Sequence, residues 1–319
     1  MTGADGRTRL GRGVTGADGR TRVDQAATGA DSGIRLDQAE TGAESGTRLD
    51  QAETGADSGT RLDIVIPVYN EGANIVATLR AIAAAVKTPL RVLICYDDDD
   101  DDTLPAIAHE QNILNLQIEL IRNRGRGAHG AILTGLGASD APFVLVYPAD
   151  DDYNADILDA MVSEAEKGCD IVCASRFMPG GSMKGCPLLK AALVRMANFT
   201  LYHLARLPTH DASNGFRLFS RRTVEEIPIE SNSGFCYSIE LLVKCHRLGW
   251  RIGEVPARWF QRKHGKSRFQ VIKWLPAYLR WYAYAFVTTY LQRTEASVHR
   301  RKPKMSRDDN HDLAQNHEP

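Results

Sequence analysis

The stretch LDIVIPVYNEGANIVATLRAIAAAV, residues 62–86, contains the unit from which the fold is built. Its first seven residues form an apolar run rich in β-branched side chains, as expected of a buried strand. The polar turn YNE follows. From residue 72 the apolar residues recur at intervals of three and four, which is the spacing of an amphipathic helix. The stretch therefore predicts a strand, a short turn and a helix.

The same unit recurs along the chain. Apolar runs at 90–96, 116–122, 143–147 and 170–175 alternate with stretches of helical periodicity. Such alternation predicts an α/β fold with a mostly parallel sheet flanked by helices, and ligands at the carboxyl ends of the strands. After residue 173 the pattern is looser. It predicts a helix at about 187–206, a strand at 215–220, a helix at 237–249, a strand near 251–260 and an aromatic helix over 269–292.

Composition indicates a globular protein. The chain has 319 residues, is 43% hydrophobic and carries a net charge of −1, which excludes neither acidic nor basic partners. The six cysteines lack CxxC spacing, and we expect reduced core thiols. The first sixty residues have no apolar leader, and the run WYAYAFVTTYL is too short to span a bilayer. We expect a cytoplasmic protein that can lie peripherally on the cytoplasmic face of a membrane.

The N-terminus is a tandem repeat with a period of 13 residues, such as TGADGRTRVDQAA and TGAESGTRLDQAE. Each copy offers about one aliphatic residue, which is too little apolar surface to offset the entropy of ordering it. Residues 1–60 are therefore predicted to be disordered, with a short repeat solenoid as the alternative. The polar tail at 293–319 is also predicted to be disordered.

Two acidic runs follow predicted strands, YDDDDDDT at 96–103 and YPADDDYNAD at 147–156. Two carboxylates two residues apart can both reach one hard divalent cation, so Asp150 and Asp152 are candidate metal ligands. The alternative is a solvated acidic turn. In the longer run most aspartates are expected to form a solvated loop, because so many adjacent like charges cannot all be usefully desolvated.

The stretch GRGAHG at 125–130 matches the GxGxxG pattern of dinucleotide-binding folds. It lies in the third strand-helix unit, and two arginines crowd it. A nicotinamide or flavin oxidoreductase is therefore a minor alternative. The other interpretation is a turn that faces a phosphate or packs closely, because glycine permits close backbone approach.

Taken in order, several stretches resemble family 2 glycosyltransferases, in particular polyprenyl-phosphate sugar synthases of the dolichol-phosphate mannose synthase type. They are IVIPVYNE (64–71), NRGRGAHGAILTG (123–135), YPADDDYNADIL (147–158), ASRF (174–177), DASNGFRLFSR (211–221), IELLVKCHRLGWRIGEVP (239–256) and RKHGKSR (262–268). The resemblance implies a GT-A domain over 61–268 and inverting transfer from a nucleotide-diphosphate sugar to a polyprenyl phosphate or another glycan acceptor. A catalytically impaired nucleotide-sugar or membrane-binding module is the alternative.

The resemblance also implies donor-binding residues. They are Pro67, Tyr69, Glu71, Asp97, Gly127 and Asp150, where Asp97 would contact the base or ribose. A Mg²⁺ or Mn²⁺ ion would bind Asp150 and Asp152 and neutralise the leaving diphosphate. Pro148 stands where the family has its first metal-binding aspartate, and Tyr96 stands where it has the first acid of the nucleotide pair.

On the acceptor side the resemblance places Arg176 near the acceptor phosphate, which a guanidinium binds with two hydrogen bonds. Asp211 would serve as the base if the acceptor were a sugar hydroxyl, with Glu240 as a second candidate. Arg262 belongs to a cationic loop that would close over the diphosphate. That loop and the aromatic helix can also meet an anionic membrane surface, and we expect no nucleic-acid partner. The alternative for the aromatic helix is a buried terminal helix.

Overall fold

The computed structural model describes residues 59–110, 114–260, 271–291 and 298–301. The strands within these ranges are β1 (Leu62–Pro67), β2 (Leu90–Tyr96), β3 (Gln117–Arg122), β4 (Phe143–Val146), β5 (Ile171–Ser175), β6 (Ser182–Lys184), β7 (Arg217–Ser220), β8 (Ile252–Pro256) and β9 (Arg258–Phe260). The helices are α1 (Gly72–Ala85), α2 (Thr103–Glu110), α3 (Gly127–Ala138), α4 (Leu158–Glu166), α5 (Leu188–His203), α6 (Arg221–Glu226), α7 (Cys236–Arg247) and α8 (Val271–Tyr290), with a 3-10 turn at Ala155–Ile157 before α4.

Seven strands form one sheet in the order β3-β2-β1-β4-β7-β5-β8. All neighbouring pairs are parallel except those of β7, which runs antiparallel to β4 and to β5. The predicted mostly parallel sheet flanked by helices is thus confirmed. A second, two-stranded sheet pairs β6 with β9 in parallel. The short strand β6 and the short helix α6 were not predicted, because neither has a periodic apolar pattern of useful length.

Helices cover both faces of the main sheet, and each face has its own core. In β1 the side chains of Ile64 and Ile66 belong to one apolar cluster and that of Val65 to the other, as the two-residue period of a strand requires. Helix α1 buries Ile75, Leu79 and Ile82, which are spaced at four and three. The two-residue period predicted for the strand and the three-to-four-residue period predicted for the helix therefore mark the side chains that pack between sheet and helices.

Helix α3 lies unusually close to the sheet because it presents a glycine there. A Cβ on Gly135 would come within 2.4 Å of a Val65 methyl carbon and within 2.8 Å of the Cys95 sulfur. Such contacts are sterically excluded, so any larger residue would push the helix away from β1 and β2. The glycine at position 135 is thus required by packing.

The antiparallel strand β7 determines which loops meet at the carboxyl edge of the sheet. Its first residue, Arg217, pairs with Val146 at the end of β4 and with Cys173 in β5. The segment 211–216 that leads into β7 therefore enters at the same edge at which β4 and β5 leave. This reversal brings the loop DASNGF beside the loops that follow the two parallel strands.

Helices α5 and α8 carry most of the exposed large apolar side chains in the described part of the chain. Elsewhere only Tyr69 and Leu120 are of this kind. The others define a surface that we call the α5–α8 face: Leu188, Leu189, Leu193, Met196, Phe199, Leu204, Leu275, Leu279, Val287, Tyr290 and Leu291. The two helices are joined by a 2.6 Å hydrogen bond between the hydroxyls of Thr200 and Tyr282. No helix in the described ranges has both the length and the apolarity needed to span a bilayer.

The ends of the chain were predicted to be disordered. Except for residues 59 and 60, the predicted repeats lie outside the described residues, as does most of the predicted tail. Within that tail, however, residues 298–301 contact the folded domain. Val298 is buried, and the Arg301 backbone N–H donates to the Glu226 carbonyl oxygen at 2.8 Å. All six cysteines are free thiols, and Cys186 alone among them is not buried.

Candidate active site

Part of the first acidic run accepts hydrogen bonds from the protein's own backbone. Asp101 is 4% exposed, and both of its carboxylate oxygens accept from the Asn70 N–H at 3.0 Å, while one also accepts from the Thr103 N–H at 2.9 Å. Asp102 accepts from the Gly72 N–H at 2.8 Å. The expectation of a solvated loop is therefore wrong for Asp101, which is buried, whereas Asp102 is exposed as expected. Both carboxylates hold the turn between β1 and α1.

Asp97, the predicted nucleotide contact, binds the turn before α3. Its carboxylate accepts from the Asn123 side-chain amide at 2.5 Å and from the Gly127 N–H at 2.9 Å. Gly127 has a φ of +66°, a conformation that favours glycine. The Asn123 carbonyl oxygen also accepts from the Gly125 N–H at 2.8 Å. These N–H groups of the GxGxxG stretch are thus engaged within the protein, as expected of a structural turn.

In the second acidic run the middle carboxylate faces inward. Asp151 is 5% exposed and accepts from the backbone N–H groups of Tyr153 and Asn154 at 3.2 and 3.0 Å, and from the Asn154 side-chain amide at 2.7 Å. Burial raises the pKa of Asp151 to about 6, although these hydrogen bonds oppose the rise. Asp151 therefore builds the turn, while half-buried Asp150 and exposed Asp152 flank it.

Strand β9 braces this turn. The Asn154 side chain donates to the Arg258 carbonyl oxygen and accepts from the Arg258 N–H, both at 2.9 Å. The Arg258 guanidinium donates to the Tyr153 carbonyl oxygen and to Asp156, and the Phe260 ring meets the Tyr153 ring edge-on at 4.8 Å. Strand β9, which precedes the cationic stretch at 262–268 in the sequence, thus contacts the second acidic run directly.

Arg176 and Asp211 form a buried ion pair. The Nε of Arg176 donates to one oxygen of Asp211 at 2.6 Å and its Nη2 donates to the other at 2.9 Å. Burial alone would raise the pKa of Asp211, but the Arg176 charge and hydrogen bonds from Arg176 and Ser213 outweigh it and hold the pKa below its usual range. Asp211 is fully buried, whereas the Arg176 side chain is 12% exposed.

This ion pair is connected to α5. Ser213 donates to Asp211 at 3.0 Å and accepts from both Arg176 and Asn198 at 2.9 Å. Asn198 in turn accepts from the Ser213 N–H at 3.2 Å. These four residues, which we call the Arg176–Asp211 cluster, join the ends of β5 and the DASNGF loop to the helix that carries the apolar face.

Glu240, the second candidate base, lies in a separate buried network. It is fully buried, and its carboxylate accepts from Lys244 at 2.7 Å and from the N–H groups of Glu230 and Ser231 at 2.6 and 2.8 Å. These contacts attach α7 to the segment that precedes it. A carboxylate with both oxygens occupied and no exposed surface is poorly placed to meet an acceptor.

The donor-side residues follow three adjacent parallel strands. Pro67 ends β1, Asp97 follows β2 and Asp150 follows β4, and β1 lies between the other two. These strand ends therefore meet at one edge of the sheet, where Tyr69 is 49% exposed and Glu71 is half-buried. Arg262 lies outside the described residues.

Four residues that build these clusters were not singled out from the sequence: Asn123, Asn154, Asn198 and Ser213. Each is an uncharged polar residue with at least one partner distant in the chain, so the residue itself contains no titratable signal. The first two do follow the strand-end motifs by a few residues, where a short amide side chain commonly bonds to nearby backbone.

Comparison with known proteins identifies the family. Residues 63–228 match the model described as Glycosyl transferase family 2. The chain belongs to this family. As a family 2 glycosyltransferase it is 26% identical over 212 residues to polyprenol monophosphomannose synthase of Mycolicibacterium smegmatis, covering 64% of this chain and 79% of that protein. It is 30% identical over 206 residues to an uncharacterized glycosyltransferase of Mycobacterium bovis, covering 64% and 88% respectively.

Solved structures of similar fold include glucosyl-3-phosphoglycerate synthase from Mycobacterium tuberculosis. Its complex with Mn²⁺, UDP and phosphoglyceric acid has a TM-score of 0.53 at 17% identity, with 72% of this chain and 78% of that chain covered. Its complex with Mn²⁺, UDP and glucosyl-3-phosphoglycerate gives 0.52 at 18% identity, with 72% and 80% covered. The predicted GT-A fold is confirmed, and family membership confirms that the chain is a glycosyltransferase rather than an oxidoreductase.

Proposed function

We propose that this glycosyltransferase moves a sugar from a nucleotide-diphosphate sugar, with inversion, to a polyprenyl phosphate at a membrane surface. The α5–α8 face carries the proposal, because α5 presents exposed apolar side chains and also supplies Asn198 to the Arg176–Asp211 cluster. A lipid-linked acceptor needs a cationic group for its phosphate and an apolar surface near its chain. The similarity to a polyprenol monophosphomannose synthase supports the same acceptor class.

Asp150 and Asp152 would hold the divalent cation. In the described ranges no group of three or more His, Cys, Asp or Glu side chains could hold a metal ion by itself. Two carboxylates nevertheless fit Mg²⁺ or Mn²⁺ at a nucleotide site, because such ions take one or two carboxylates and complete their shell with substrate phosphates and water. When bound, the ion would neutralise charge on the leaving diphosphate.

The electrostatics of Asp211 favour a phosphate acceptor. A hydroxyl acceptor needs a base, but Asp211 is buried, paired with Arg176 and has a lowered pKa. A phosphate oxygen is already anionic and needs no base. We therefore assign Asp211 the role of orienting Arg176, whose Nε and Nη2 it binds. The Arg176 Nη1, which donates to no other described residue, is proposed to bind the acceptor phosphate.

In the proposed reaction an acceptor phosphate oxygen forms a bond to the anomeric carbon as the bond from that carbon to the diphosphate oxygen breaks. The nucleoside diphosphate leaves with the bonding electron pair, and no proton transfer is required. Pro67, Tyr69, Glu71, Asp97 and Gly127 would position the nucleotide. Arg262 is proposed to stabilise charge on the leaving group, and the contact of β9 with the second acidic run supports this role.

A transfer assay tests the proposal. The full chain in detergent is incubated with Mg²⁺ or Mn²⁺, a panel of nucleotide sugars, and one of three acceptors: polyprenyl phosphate, a short-chain alkyl phosphate or a neutral glycan. We expect a sugar phosphodiester with the polyprenyl phosphate. Transfer to the glycan alone would overturn the acceptor assignment, and slow donor hydrolysis without transfer would favour the impaired module.

A matched pair of variants tests the apolar face. Leu189 on α5 is 75% exposed, and Leu120 on β3 is 45% exposed but lies outside the face. We expect Leu189→Gln to raise the KM for the polyprenyl acceptor about tenfold, since it removes one apolar contact, and to leave the KM for the short-chain phosphate unchanged. Leu120→Gln should change neither KM. Equal effects of both variants would show that the face does not meet the lipid.

A further inference from the structure

A cleft of about 290 Å³ lies where the ends of α5, α7 and α8 meet. Its described lining consists of Arg206, His246, Arg247 and Thr289, with no carboxylate among them, and we call it the arginine cleft. Arg206 lies on the turn after α5, the next two residues are at the end of α7, and Thr289 is near the end of α8. The cleft therefore concentrates positive charge at a junction of three helices.

Arg247 is held in one orientation. Its Nε donates to the Thr288 hydroxyl at 2.8 Å, and its Nη2 donates to the Ala285 carbonyl oxygen at 3.0 Å and to the Thr289 hydroxyl. A cation at the end of α7 also matches the helix dipole. Because the guanidinium is already fixed, an anion that binds it incurs little further loss of side-chain entropy.

Arg206 adds a second positive charge to the cleft, and it lies beyond the last residue of α5. Its φ of +55° is uncommon for a residue with a side chain, and its backbone makes a hydrogen bond with His246. Burial, and then the nearby charge of Arg247, lower the pKa of His246, so this imidazole is neutral near pH 7. Arg206 is exposed and makes no ion pair with any other residue in the described ranges.

Exposed apolar side chains neighbour the lining residues in the chain, and we call them the apolar rim. Leu204, Tyr290 and Leu291 are 47%, 53% and 79% exposed, and the Tyr290 hydroxyl donates to the Leu204 carbonyl oxygen at 2.7 Å. These residues are one end of the α5–α8 face. A cationic cleft with an apolar rim matches the two halves of a phospholipid, since a soluble anion would need no such rim.

We propose that the arginine cleft binds the phosphate of an anionic phospholipid whose acyl chains lie against the α5–α8 face. The proposal rests on membrane docking as put forward above and adds a headgroup preference to it. It concerns a site distinct from that of the acceptor phosphate. The Arg176–Asp211 cluster contacts α5 at Asn198, which lies about two helical turns before Arg206 in the chain.

Vesicle flotation tests the proposal without donor or acceptor. Full-length protein is mixed, at fixed ionic strength, with vesicles of phosphatidylcholine alone or of equimolar phosphatidylcholine and phosphatidylglycerol. We expect stronger binding to the mixed vesicles and about fivefold weaker binding to them for Arg206→Ala. Arg195→Ala is the matched control, because Arg195 is exposed on α5 but does not line the cleft.

Three outcomes overturn the proposal. Equal binding of the wild type to both vesicles would remove the headgroup preference. Equal losses for Arg206→Ala and Arg195→Ala would indicate diffuse attraction. Displacement of the wild type from mixed vesicles by inorganic phosphate, at matched ionic strength, would make free phosphate the ligand. Because the transfer assay is done in detergent, its failure and the failure of vesicle binding are separate results.

Discussion

The two acidic runs have similar compositions and different structural roles. In the run at 97–102, three carboxylates accept hydrogen bonds from neighbouring loops, namely those of Asp97, Asp101 and Asp102. In the run at 150–152, the carboxylate of Asp151 accepts hydrogen bonds from Asn154 in its own turn, and Asp150 and Asp152 flank it after the end of β4. The run with more charge therefore has a structural role that its composition alone does not reveal.

The comparison shows that the number of adjacent aspartates is a poor guide to a metal site. What matters is how many backbone N–H groups lie within reach of each carboxylate. A carboxylate that satisfies buried N–H donors contributes to stability, and its removal leaves those donors without partners. A carboxylate that keeps exposed surface after a strand end can instead take a cation. The following predictions test this division between stability and catalysis.

The largest effect is expected at Asp150. Asp150→Asn should lower kcat/KM by at least about 100-fold and abolish metal-dependent donor binding, because an amide is a much weaker cation ligand than a carboxylate. Initial-rate assays and calorimetry with and without Mn²⁺ measure both. Asp100→Asn, in the other run, should leave both unchanged. Equal losses at the two positions would mean that the metal site has been assigned to the wrong run.

A stability effect is expected at Asp101. Asp101→Ala should lower the free energy of unfolding by about 2–4 kcal/mol, because the N–H groups of Asn70 and Thr103 lose a buried acceptor. Urea denaturation monitored by circular dichroism gives the value. Asp152→Ala, whose side chain is exposed, should change it by less than about 0.5 kcal/mol. A larger loss for Asp152→Ala would reverse the proposed division.

The smallest effect is a pH dependence at Asp151. The pKa of this carboxyl is raised to about 6 in the folded protein from an ordinary value of 3.8, so folding favours its protonated form. Wild-type stability should therefore fall, relative to Asp151→Asn, as the pH rises from 4 to 6, by on the order of 2 kcal/mol. Urea unfolding at several pH values measures the difference. A difference independent of pH would show that Asp151 titrates normally.

The fold was largely predictable because its signals are local. Apolar runs of five to seven residues alternating with helical periodicity determine β1 to β5 and their helices, whichever neighbours they later contact. The position and antiparallel direction of β7 were not predictable, since its four residues have no pattern that encodes a partner strand. The Arg176–Asp211 pairing depends on that reversal, so sequence reasoning named both residues without predicting their contact.

The roles within the acidic runs were only partly predictable. The inward orientation of Asp151 depends on Asn154, and the backbone role of Asp101 depends on the turn at Asn70, thirty-one residues earlier. Spacing along the chain contains no information on the contact of Asp101 with Asn70, whereas the contact of Asp151 with Asn154 is local. The site residues named from the family resemblance therefore stay predictions until the variants are measured.

The double hydrogen bond between Asn154 and Arg258 joins the turn after β4 to strand β9, which precedes the cationic stretch at 262–268 in the sequence. Any coupling that passes through this joint is thermodynamically reciprocal. If cation and diphosphate binding at the turn draws β9 closer, then engagement of the segment beyond Phe260 tightens donor binding by the same factor. Order of addition cannot alter that factor, although 104 residues separate Asn154 from Arg258 along the chain.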